Sequence, residues 1–252
     1  MANSYSDLFY DYIETGSRQS ARRILPLVQA GLKPDSVLDV GCGRGVWLTE
    51  WLACGVRDVF GSDGPYVDPQ KLTIPADCFR PLDLSAPFDL GRRFSLVQCL
   101  EVAEHIPAER ATTLIANLTR HADIVMFSAA VPGQGGKYHV NERPLSYWRD
   151  LFAQAGFAAF DWLRPQLAGL DGIEPWYRYN VLFYVKNDVA GSLPGSFQET
   201  AIPSRLRIPH RQPWTWRLRC SLLSLLPPGL VTLLAEAKHR AVVRRLARSQ
   251  GI

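Results

Sequence analysis

The sequence lacks any pair of cysteines close enough to form Cys-x-x-Cys: the five, Cys42, Cys54, Cys78, Cys99 and Cys220, are scattered and odd in number. That spacing speaks against a zinc ribbon and a disulfide framework, and leaves free thiols in a reducing cytoplasm as the expectation. A basic segment running into an apolar stretch is missing from the first residues, MANSYSDLFYDYIE, so no secretory signal is expected. Long hydrophobic runs are missing too. The longest, Leu222 to Leu234, is broken by Pro227, Pro228 and Gly229 and falls short of the roughly 20 residues that span a bilayer. Internal repeats and low-complexity segments are absent. What is present, 252 residues with 47% hydrophobic and 21% charged, suits one compact domain with roughly fifty residues to spare.

Acidic residues are scarce at one end. From Ala201 to Ile252 there are ten basic residues and one acid, Glu236, a charge of +9, whereas the first 200 residues carry −5. The overall +4 therefore joins a mildly acidic body to a basic tail.

Along the body, Ser17 to Ala30 reads as an amphipathic helix stopped by Gly31. Ser36 to Val40 is a short strand rich in branched residues, and Gly41-Cys-Gly-Arg-Gly45 leads from it into a helical run, Val46 to Ala53. Further strands are expected at Val56 to Gly61, Ser95 to Leu100 and Ile124 to Ala129, with a helix from Ala108 to Arg120. Strands alternating with helices imply a parallel sheet covered on both faces. A polar loop, Val131 to Pro144, a helix, Leu145 to Ala155, and a strand, Tyr179 to Val185, complete the body. Phe160 to Trp176 reads as an irregular insertion. The resulting division is a domain over 1–190, a Pro/Gly/Ser-rich linker over 191–204, and a basic amphipathic tail over 205–252 with a helix from about Leu230 to Ser249.

Glycines at alternate positions between a strand and a helix let the chain turn sharply and let a ligand lie against bare backbone. Asp63 ends the second strand 22 residues beyond Gly41, where a carboxylate can take both hydroxyls of a ribose. The spacing is G-x-G-x-G rather than the dinucleotide G-x-G-x-x-G, and Asp39 stands just ahead of it. A carboxylate there is unwelcome near a pyrophosphate but suits a ligand carrying an ammonium and a sulfonium.

Val37 to Gly45 thus resembles the first motif of class I S-adenosylmethionine-dependent methyltransferases. Gly61-Ser-Asp63 resembles their ribose-binding acidic position, and Leu82-Asp-Leu84 the turn that contacts adenine. Phe94 to Pro107 is similar to the fourth-strand motif of the small-molecule branch, with its Glu-Val-x-Glu-His run. The likeness covers about residues 35 to 186 and implies an α/β Rossmann-like sheet, mostly parallel with an antiparallel last strand. It also implies S-adenosylmethionine as cofactor: Asp39 orients the methionine amino group, Gly41, Cys42 and Gly43 give it backbone, and Asp63 with Gly64 takes the ribose. Asp83 and Leu84 would meet adenine, while Glu101 and Val102 would line the methyl-transfer mouth.

For the acceptor, Gly133 to Trp148 resembles a Gly-Gly-x-x-His-x-Asn-Glu-Gln motif of one methyltransferase subgroup, with Arg143 in place of the glutamine. It makes His139 the candidate base, with Asn141 and Glu142 orienting it or the substrate, and Tyr147 and His105 as further substrate contacts. His105 and Glu104 have a plainer alternative as residues that cap or pack the turn after the fourth strand, and His139 and Asn141 as residues that pin their loop. Tyr5, Phe9, Tyr10 and Tyr12 suggest a lid, and Trp162, Trp176 and Tyr177 an acceptor wall. The fourth strand ends Cys99-Leu-Glu101, unlike the Asn/Asp-Pro-Pro-Tyr run of enzymes acting on nucleic-acid bases, and the acidic body lacks a phosphate-tracking surface. The expected partner is a small-molecule acceptor, not nucleic acid, and no metal is expected. The tail is expected to pack, to self-associate or to meet the inner membrane face peripherally.

Overall fold

The computed structural model describes residues 7–227, with side chains from Glu14 onward, and beyond Pro227 residues 229–231, 233, 234 and 237. Its helices are α1 (Asp7–Leu32), α2 (Val46–Ala53), α3 (Ala111–His121), α4 (Leu145–Gln154), α5 (Pro175–Asn180), α6 (Gly195–Gln198) and α7 (Trp214–Leu223). The strands are β1 (Ser36–Val40), β2 (Asp58–Asp63), β3 (Phe79–Pro81), β4 (Leu96–Leu100), β5 (Ile124–Ser128), β6 (Phe157–Phe160), β7 (Leu182–Lys186) and β8 (Ala201–Ile202).

They form one sheet in the order β3-β2-β1-β4-β5-β7-β6-β8. β1 to β5 run parallel, β7 is antiparallel to β5 and β6, and β8 adds antiparallel to β6. Alternate residues of the buried strands serve opposite faces. Val37, Leu96 and Met126 face α1 and α2, packing with Ile24, Leu25, Leu48 and Trp51. Leu38, Val97 and Val125 face α3 and α4, packing with Leu114, Leu118, Trp148 and Phe152. The indole of Trp51 reaches its one polar partner inside the core, donating to Gln98 Oε1 at 3.0 Å.

This is the mostly parallel Rossmann-like sheet expected, with both final strands antiparallel. β6 and β8 are additions: each is short, lacks an alternating pattern, and forms because a neighbour offers it a partner, β7 for β6 and β6 for β8. The helix preceding β7 takes Tyr179 and Asn180, which sequence patterning placed in the strand. α1 begins ten residues earlier than its apolar period suggests. Its first two turns carry Phe9, Tyr10 and Tyr12, whose side chains, together with Tyr5, lie outside the described residues, as does the tail helix beyond residue 237.

The segment expected as a linker over 191–204 is part of the body. Composition hid this because a single large residue does the anchoring: Phe197, 1% exposed, packs against Phe160, Trp162 and Phe183, and Ile202 pairs in β8. Trp162 is thereby a core residue beside the end of α1 rather than an acceptor wall. Phe197→Ala is expected to cost about 3–5 kcal/mol by the cavity it leaves. A fall of that size in urea-unfolding free energy, beside no change for an exposed substitution such as Glu199→Ala, is the check.

Candidate functional site

Parallel strands deliver their carboxyl ends to one edge, so the turns after β1, β2, β4 and β5 meet there. The turn after β1 is latched to β2 by two bonds: the N–H groups of Gly41 and Cys42 both donate to the Ser62 carbonyl, at 2.7 and 3.2 Å. Gly41 has φ +87°, and a Cβ on it would lie 2.2 Å from Val102. Gly43 has φ +54°, opens onto free space, and donates its N–H to Asp63 Oδ2 at 2.7 Å. Arg44, next in the turn, pairs with Glu14 of α1 at 3.3 Å, which brings the first helix over the glycines.

Two buried carboxyls face this turn. Asp39, 3% exposed, has no basic partner among the described residues, and burial, with the Asp63 carboxylate adding to it, pushes its pKa up to about 8. Asp63 accepts from Gly43, from the Gly64 N–H at 2.6 Å and from the exposed Tyr66 hydroxyl. Burial raises its pKa against these donors. Cys42 is buried, and burial holds its thiol well above the ordinary value. Asp83 is exposed beyond β3 and accepts from the N–H and hydroxyl of Ser85, which hold its carboxyl low, while Leu84 is buried.

The residues present fit S-adenosylmethionine. Asp39 is a buried carboxyl in want of a cation, bare backbone opens at Gly43, and Asp63 already accepts a hydroxyl from Tyr66 where a ribose hydroxyl can replace it.

The reacting side is built by β4 and the loop after β5. Glu101 follows β4 with φ +56°, a conformation that strains a non-glycine residue and turns its side chain out of the strand path. Its Oε2 accepts from Gln134 at 2.7 Å, its Oε1 is buried with no partner, and burial raises its pKa despite that bond. Glu104 is 1% exposed, and its Oε2 is likewise buried without a partner. Burial first, then the Glu101 carboxylate, push it well above the usual range. The Glu104 backbone carbonyl receives the N–H groups of Val140 and Asn141, fastening the loop to β4.

His139 Nδ1 stands 2.8 Å from Glu142 Oε1. Glu142 also accepts from the N–H groups of Gly133 and Gly135 at 2.8 and 2.9 Å. Against burial, the His139 hydrogen bond and these N–H groups hold its carboxyl below the ordinary value. The His105 ring meets the His139 ring edge-on at 4.9 Å. Desolvation of its nitrogens, and then the neighbouring His139, bring the His105 pKa down to about 4. Asn141 does a different job from its neighbours: its Oδ1 accepts from Arg143, whose guanidinium stacks over Tyr147. Arg143 and Tyr147 are thus engaged with each other at the start of α4.

Sequence reading missed Gln134, which is 6% exposed and ties Glu101 to Asn180, whose Nδ2 donates to Gln134 Oε1 at 2.7 Å. Its position three residues before Lys137 in a glycine-rich loop carries no pattern that marks it. The tail also reaches this loop. Arg219 of α7 donates to the Gln134 carbonyl at 3.1 Å, and a Cβ on Gly133 would lie 1.9 Å from the Cys220 carbonyl oxygen.

The edge so described is that of a class I methyltransferase. A family model for a methyltransferase domain matches residues 12–160, and the chain belongs to that family. It is an S-adenosylmethionine-dependent methyltransferase. Similar solved structures include a sugar N-methyltransferase from Streptoalloteichus, 18% identical, covering 71% of this chain and 92% of that one with a TM-score of 0.53. The plantazolicin methyltransferase BpumL, in complex with a desmethyl substrate analogue and S-adenosylhomocysteine, is 18% identical over 71% of this chain and 88% of its own, TM-score 0.51. The magnesium protoporphyrin IX methyltransferase of Synechocystis with bound S-adenosylmethionine is 22% identical over 73% and 86%, TM-score 0.50. No curated protein matches the chain in sequence.

Asp39 generates a testable linkage. Its pKa of about 8 leaves it mostly protonated at neutral pH, and an ammonium placed beside it draws that proton off. Binding of S-adenosylhomocysteine at pH 7 should release close to one proton, and affinity should strengthen by up to about tenfold per unit as pH rises toward 8. Calorimetry in buffers of different ionisation heat measures the release. Asp39→Asn should bind more weakly and release none.

Proposed function

We propose that the chain transfers the methyl group of S-adenosylmethionine to a hydroxyl of a small molecule, such as a metabolite, a natural product or a glycan precursor. When bound, the cofactor supplies an electrophilic methyl on a sulfonium, so the protein has chiefly to exclude water and align the acceptor. The observation that carries the reading is the His139 Nδ1 to Glu142 Oε1 contact. A carboxylate fixed by two backbone N–H groups holds one ring nitrogen, which leaves the other, Nε2, to take the acceptor's proton. Asp39 holds the cofactor's amino group and Asp63 its ribose, with Asp83 and Leu84 toward its adenine. Glu101, Val102 and His105 line the mouth between cofactor and acceptor. The sugar N-methyltransferase and the plantazolicin methyltransferase of the same fold support a small-molecule acceptor.

A panel of hydroxylated metabolites, read by S-adenosylhomocysteine release, tests the assignment. His139→Asn should lower kcat by about 10²–10⁴ with cofactor affinity unchanged. Tight cofactor binding with no release from any acceptor would favour a binding protein without transfer.

A second reading, contact with an anionic lipid surface, is favoured by α7. Trp214, Leu218, Leu222 and Leu225 are 73, 51, 58 and 80% exposed at helical spacing, beside the exposed Arg205, Arg207 and Arg217. No acidic residue lies between Glu199 and Glu236. An apolar stripe with a basic flank suits insertion into a headgroup layer. Among the described residues no helix is long and apolar enough to cross a membrane. The full chain should co-sediment with phosphatidylserine vesicles, less so in high salt. The triple change Leu218→Glu, Leu222→Glu and Leu225→Glu should abolish this, and co-sedimentation that survives it counts against the reading.

A further inference from the structure

Three side chains at the methyl-transfer mouth converge with more donor atoms than donors of hydrogen to satisfy them. Glu104, His105 and His139 each place one ligand-type atom within 4.8 Å of the others. The Nδ1 of His105 lies 3.3 Å from the Tyr138 carbonyl oxygen. A carbonyl only accepts, so that nitrogen carries the hydrogen and Nε2 carries the lone pair. His139 repeats the pattern, its Nδ1 hydrogen turned to the Glu142 carboxylate. Glu104 Oε2 is buried with no hydrogen-bond partner, and so is Glu101 Oε1 close by. Gly136 keeps the neighbourhood of His139 Nε2 clear, since a Cβ there would come within 2.1 Å of that nitrogen.

Two imidazole lone pairs and an unsatisfied carboxylate oxygen are a donor set for a cation. An imidazole whose second nitrogen donates to a carboxylate or backbone carbonyl is the arrangement that orients a metal-binding histidine. Two histidines with one carboxylate suit a borderline divalent ion better than magnesium, which prefers oxygen and retains water.

We propose that Glu104, His105 and His139 bind one divalent transition-metal ion, of the zinc or cobalt kind, with Glu101 at its edge and Glu142 and the Tyr138 carbonyl fixing the two rings. Methyl transfer moves no electrons between the ion and the acceptor, so the ion needs no redox chemistry. Its task, which rests on the methyl-transfer reading above, is to hold the acceptor hydroxyl and lower its pKa so that the proton leaves to bulk water. In the loaded protein His139 then acts on the acceptor through the ion rather than by taking the proton itself. The ion favours acceptors with a second oxygen beside the first, such as a vicinal diol, which could chelate it.

The test uses the untagged full chain, stripped with a chelator and titrated with divalent cobalt alone. Visible absorption of the bound ion and metal content after desalting should show one cobalt per chain, displaced by zinc. His105→Ala and His139→Ala should each abolish that spectrum, and Glu142→Gln should weaken binding by about 10–100-fold. Calorimetry with S-adenosylhomocysteine on the same samples verifies that each variant is folded and keeps its cofactor site. Cofactor binding without stoichiometric cobalt overturns the metal site and leaves the methyltransferase reading standing. Cobalt binding that persists in both histidine variants overturns the assigned ligands. With an acceptor in hand, activity that survives chelation and desalting overturns the ion's part in the reaction and returns the proton to His139.

Discussion

The carbonyl of Ser62 takes two backbone N–H groups from the turn after β1, and the rest of the site depends on that pair of hydrogen bonds. It fixes the glycine turn to the end of the neighbouring strand, so that Asp39, Gly43 and Asp63 are set by sheet geometry rather than by loop conformation. Bending the chain so tightly leaves no room for a side chain at Gly41, where Val102 from the end of β4 closes the space. One hydrogen-bond acceptor thereby ties two strand ends together, and Val102 packs the end of a third against them. The buried Asp39 carboxyl, its pKa raised by burial, is the electrostatic cost of the arrangement.

The reacting half is held in the opposite way, by a loop fastened from both sides. Glu104 grips it through its backbone carbonyl, Gln134 reaches back to Glu101, and Glu142 draws Gly133, Gly135 and His139 inward. A loop with this many internal bonds positions His139 far better than its glycine content suggests. The strain of Glu101 at φ +56° is offset by the same network, which over-determines its position.

Much of this was legible beforehand. β1 and α2 fall on the residues where branched and helical patterning put them, because each is a local signal bounded by glycine. The Asp39-to-Gly45 turn and Asp63 follow from spacing alone. His139 and Glu142 were paired by motif, and the structure places them in contact. Asn141 was grouped with them but serves Arg143, since neighbouring loop residues point different ways and sequence adjacency says nothing of direction. Gln134, β6, β8 and the anchoring by Phe197 left no pattern, for each is defined by a partner distant in sequence. The convergence of Glu104 and His105 with His139 was unreadable for the same reason: the two histidines stand 34 positions apart, and the β4–β5 pairing together with the bonds from Val140 and Asn141 to the Glu104 carbonyl brings them together.

The contact of α7 with the Gly133–Gln134 segment alters how the charge split along the chain should be understood. A +9 tail on a −5 body suggests two modules joined end to end. Yet Arg219 holds the backbone of the residue whose side chain holds Glu101, so the two parts share a strut. The boundary in charge is not a boundary in mechanics. A force or a surface that displaces the basic helix is transmitted within two hydrogen bonds to the strained end of the fourth strand.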